Sequence, residues 1–133
     1  MCLRCGYNLS SGEILAERDR MKIRWGANRF VLLSKNYAFK FPRLDQFGFG
    51  LINNSNEAKW SKLNNGRCPV IFSLPFGLLI VMPRCEPLTF DQWWEFDSVT
   101  FCRIRGITAE HKSDSFGWLN GEIVCFDYGW TID

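Results

Sequence analysis

The sequence predicts an α+β fold, an antiparallel sheet built from hairpins with two or three helices. Three observations carry the prediction. Two pairs of strand-like runs, residues 29–34 with 37–41 and 69–74 with 78–82, each flank a short turn. Asn120-Gly121 between alternating apolar residues is a strong short-range hairpin signal. Asn54 with Glu57, and Thr89 with Gln92, show the spacing of a helix capping box.

Along the chain, Ser10-Ser11-Gly12 reads as a turn and residues 13–24 as a short helix. The 29–34 run is rich in β-branched and aromatic residues, and Asn36 tolerates the positive φ of a tight turn. In residues 37–41, Tyr37, Phe39 and Phe41 share one face while Ala38 and Lys40 share the other. Pro42 stops that strand. Gly48 and Gly50 then break the chain, and a helix is predicted over 53–63 with Asn54 as N-cap and Asn64-Asn65-Gly66 as its end. The 69–74 and 78–82 runs are apolar enough to lie in the middle of a buried sheet. A second helix runs from Thr89 through Phe96, residues 99–104 fit either helix or strand, and 116–119 with 122–126 form the last hairpin.

The 133 residues suit a single domain, and 47% apolar with 16% aromatic composition excludes a disordered chain. No run reaches the roughly 20 apolar residues of a membrane span, and the first 24 residues lack a signal-peptide core. The expected location is therefore the cytoplasm, with the six cysteines reduced and no membrane partner. Net charge is +2 but uneven: residues 1–43 carry nine Lys/Arg against three Asp/Glu, and residues 44–133 carry seven against eleven. Residues 1–27 thus form a basic segment able to meet nucleic acid or an acidic protein.

Tyr37-Ala38-Phe39-Lys40, a following helix with Glu57, Leu78–Arg84, the 110–115 segment and Asp127-Tyr128-Gly129 occur in that order. In order and spacing, residues 28–130 resemble the protein-kinase-like superfamily, in particular its small atypical bacterial and phage members. The resemblance implies a kinase N-lobe plus the catalytic-loop hairpin. Ala38 would line an adenine pocket, Lys40 would reach phosphates, Glu57 would pair with Lys40, Glu110 would stand at the catalytic carboxylate and Asp127 would hold Mg²⁺. Phosphoryl transfer needs these types: a cation on the phosphates, a carboxylate to hold it and another for the metal. Departures are equally specific. Glu110 and Ser115 stand where the family has Asp and a metal-binding Asn, and only Gly26 stands in for a Gly-rich loop. Four residues follow Gly129, so the expectation is a core without the helical C-lobe.

Cys2-Leu3-Arg4-Cys5-Gly6-Tyr7 resembles half a zinc ribbon. Tetrahedral zinc needs four ligands, and the remaining cysteines stand singly, so zinc at Cys2 and Cys5 would require two of them, His111 or a second chain. Trp93 and Trp94 are adjacent on a helix and point in different directions, which places one at a surface contact suited to a protein partner. The leading functional expectation is a non-catalytic interaction or inhibitor protein on a reduced kinase-like scaffold. By analogy of size and type it resembles phage accessory and anti-defence proteins, anti-CRISPR proteins among them. The alternatives are a minimal ATP- and Mg²⁺-binding protein or phosphotransferase using Lys40, Glu57 and Asp127, and a nucleic-acid-binding module.

Overall fold

A computed structural model describes residues 21–63 and 65–129. The fold is α+β, with antiparallel sheets of five and three strands. The larger sheet contains β1 (Lys22–Trp25), β2 (Arg29–Leu33), β3 (Tyr37–Pro42), β4 (Phe72–Ser73) and β5 (Ile80–Pro83), in the order β1-β2-β3-β5-β4. The smaller contains β6 (Glu86–Pro87), β7 (Phe116–Leu119) and β8 (Glu122–Cys125) in sequence order. Three α-helices accompany them: α1 (Phe47–Trp60), α2 (Phe90–Glu95) and α3 (Ser98–Arg105). Among the described residues no helix is long and apolar enough to cross a membrane.

Several elements follow directly from local chemistry. Asn120 and Gly121 both take positive φ, 53° and 82°, the backbone that a two-residue hairpin turn requires and that Asn and Gly adopt at least cost. At α2 the Thr89 hydroxyl accepts from the Gln92 amide at 3.2 Å and the Gln92 side chain accepts from the Thr89 amide at 2.9 Å, closing the capping box. The ambiguous 99–104 stretch is helical because Asp97 caps α3, accepting from the Thr100 amide at 3.0 Å, and Gly106 ends it in the left-handed conformation.

Four expectations need correction. The helix predicted over 13–24 gives way to strand β1 from Lys22 onward, and its first part lies outside the described residues. The helix placed at 53–63 starts at Phe47, so Gly48 and Gly50 lie inside it. Gly50 has a packing reason to be there: a Cβ would stand 2.5 Å from the Pro42 Cβ and 2.6 Å from the Asn28 carbonyl oxygen. Asn54 is consequently mid-helix, not an N-cap. Finally, the 69–74 run supplies only the two exposed residues of β4 at the sheet edge, whereas Ile80, Val81 and Met82 of β5 are buried.

The face of β3 carrying Ala38 and Lys40 is the buried one. Register continues that face through Val31 and Leu33 on β2 and through Ile80 and Met82 on β5. Ile80 and Met82 join Phe116, Val124 and Tyr128 in one core, which ties the large sheet to the small one. Helix α1 crosses over Lys40, with the Asn54 Nδ2 donating to the Lys40 carbonyl at 2.9 Å.

Candidate functional site

Lys40, Glu57 and Asp127 come from β3, α1 and the segment after β8, and the fold brings them to one place. Glu57 is fully buried and is the hub. Its Oε1 accepts from Lys40 Nζ at 2.8 Å and lies 2.7 Å from Arg29 Nη1. Its Oε2 accepts from Arg29 Nη2 at 2.9 Å and from the Tyr128 and Gly129 amides at 3.0 and 2.9 Å. Lys40 Nζ also donates to the Phe126 carbonyl. A carboxylate with this many charged and backbone donors can remain ionised inside a protein.

Arg29 is the member that the sequence did not single out. Its Nη2 donates to Asp127 Oδ1 at 2.7 Å and its Nη1 to Asn54 Oδ1 at 3.0 Å, so one guanidinium joins β2, α1 and the 126–129 segment. The partners are 25, 28 and 98 residues away in sequence, so no local pattern could reveal them. The only local sign is a cation that opens an apolar strand on the face of Val31 and Leu33.

Electrostatics follow from the pairing. Burial alone would push the Glu57 carboxyl up, but the charges of Arg29 and Lys40 and their hydrogen bonds outweigh it and hold Glu57 down at about 2. Burial and the nearby Glu57 charge push Asp127 up, against the pull of Arg29 and Lys40. Burial likewise opposes the charged Arg29, yet Glu57 and Asp127 raise its pKa further. Two cations and two carboxylates therefore balance within the network.

In front of this network lies a cavity of about 330 Å³. Val31, Leu33, Ala38 and Met82 give it an apolar floor, and Pro83, Arg84 and Cys85 run along it. Lys40, Glu110, Lys112 and Asp127 also line it, so Ala38, Lys40, Glu110 and Asp127 share one cavity, with Glu57 directly behind. Among the described lining residues six side chains are cationic and three are carboxylates, and the Glu57 carboxylate pairs with two of the cations from behind. Glu110 is partly exposed and paired with Lys112 at 3.1 Å. The volume is at the small end of the roughly 300–1,000 Å³ typical of ligand pockets.

Mg²⁺ demands a near-octahedral oxygen shell, and the side chains around Asp127 do not fit one. Asp127 Oδ1 is engaged by Arg29. Ser115 is fully buried and outside the cavity lining, and its hydroxyl has no hydrogen-bond partner among the described residues. Also among the described residues, no group of three or more His, Cys, Asp or Glu is placed to hold a metal.

His111, Trp93 and Trp94 are not among the residues that line this cavity. Cys2 and Cys5 lie outside the described residues. His111 contacts the Ser98 hydroxyl at 3.0 Å through Nδ1. Trp93 and Trp94 diverge as their adjacency requires: Trp94 is 73% exposed, whereas Trp93 packs on Phe96 and Phe116. No protein-family model and no curated protein sequence matches the chain.

Proposed function

We propose that the chain binds a nucleotide in this cavity and acts as a binding protein, not as a phosphotransferase. The observation that carries the reading is the cavity's composition: an apolar floor around Ala38 beside cations that include Lys40. A base stacks on the first and phosphates pair with the second, and Glu57 holds the lysine in place. The pairing of Glu110 with Lys112 and the Arg29 clasp on Asp127 favour binding over transfer. The test is thermal unfolding with and without ATP. At 100-fold excess over Kd, binding adds about 2.7 kcal/mol, a rise in Tm of several degrees for a domain of this size. Ala38→Leu fills the floor and should lose that rise relative to its own ligand-free melt. A wild-type Tm that does not move at millimolar ATP would rule the reading out.

A protein partner is the second reading, favoured by the opposite face of the large sheet. Cross-strand register aligns Trp25, Phe30 and Phe41, and next to them Ile23, Leu32 and Phe39. Ring centroids in the first row are 5.2 and 5.1 Å apart, and Trp25 remains 67% exposed. An aromatic patch of this kind suits an apolar protein surface. Phe30→Ser with Phe41→Ser should abolish capture of a partner from a lysate of the source cells while leaving the ATP shift in place. Capture that is unchanged in the double variant would count against this face.

A further inference from the structure

Resting on the nucleotide reading, we infer that Arg29 takes the place of a divalent cation in this cavity, so that the nucleotide binds without metal. Both Nη atoms of Arg29 are committed: Nη1 to Asn54 and Glu57, Nη2 to Glu57 and Asp127. The side chain is only 9% exposed, yet Arg29 lines the cavity wall beside Lys40 and Asp127. A fixed positive charge thus sits against the one carboxylate that would receive a metal. A dication brought to Asp127 would have to displace a 2.7 Å charge-assisted bond and would then stand close to Arg29 and Lys40, a like-charge contact in a poorly screened site. Asp127 is thus held by a cation of the protein itself, and nucleotide binding here does not depend on a metal at that carboxylate. Free nucleotide therefore binds at least as well as its metal complex.

This can be measured on the wild-type protein by isothermal titration of ATP in two buffers, one with EDTA and one with excess Mg²⁺. The expected result is binding in EDTA, with affinity in Mg²⁺ equal or weaker. Inorganic triphosphate should compete in both buffers, since the cations act on the phosphates. Binding that appears only in Mg²⁺, or tightens about tenfold or more there (~1.4 kcal/mol), overturns the inference and leaves the nucleotide reading standing. No binding in either buffer overturns both. Asp127→Asn, which keeps the side-chain shape, supplies a second measurement: an ATP affinity in Mg²⁺ that drops to its value in EDTA only on this substitution would show Asp127 holding metal in the wild type and also overturn the inference.

Discussion

Glu57→Gln is expected to destabilise the fold by about 3–5 kcal/mol, the cost of breaking a buried ion pair by removing one partner. The melting temperature should fall by roughly 10–20 °C. The carboxylate accepts from Lys40, from both Nη atoms of Arg29 and from two backbone amides, and a neutral amide of the same shape leaves two buried cations with Asp127 alone. The pH dependence has a definite sign. Glu57 is held at about 2 in the folded chain, below its ordinary value of 4.5. A depressed carboxyl contributes stability that is fully present above pH 4.5 and is lost as pH falls towards 2. Asp127, shifted the other way, contributes stability that is full below its ordinary value of 3.8 and is lost as pH rises from there through its raised folded pKa. Denaturant melts from pH 6 to pH 2 should therefore show an acid decline in the wild type that is much shallower in Glu57→Gln. Equal slopes in the two proteins would remove Glu57 from its place as the hub.

Asn54→Leu should cost about 3 kcal/mol, because it strands groups that water cannot reach. Its Nδ2 donates to the Lys40 and Gly77 carbonyls, both at 2.9 Å, and its Oδ1 accepts from Arg29. Leucine fills similar space and supplies no partner to any of them. Chemical denaturation measures the loss directly, and a change below about 1 kcal/mol, the ordinary value for a point substitution, would mean that these bonds are replaced by water.

Asn54 also shows where the sequence misleads. Followed by Glu57 three residues later, it has the form of a helix start, and the preceding Gly48 and Gly50 have the form of breakers. Tertiary contact reverses both: Gly50 is required by the approach of α1 to Pro42, and Asn54 by the carbonyls that α1 crosses. Where the deciding contacts are local, the reading succeeds, as at Thr89 with Gln92 and at Asn120-Gly121. The 69–74 run fails for a related reason, since apolar content does not reveal that Phe72 lies at a sheet edge. In the site, the order of Ala38, Lys40, Glu57, Glu110 and Asp127 along the chain leads to residues gathered about one cavity. Arg29 was invisible because its charge is explained only by carboxylates distant in sequence and close in space.

In the proposed binding mode a nucleotide base lies on the Ala38 floor with its phosphates towards Lys40. Photolabelling with 8-azido-ATP, followed by peptide mass mapping, tests it most directly. The expected adducts are confined to the β2–β3 and β5–β6 segments that line the cavity, and are suppressed by excess ATP and by Ala38→Leu. Labelling that ATP does not suppress, or that falls outside those segments, would contradict it.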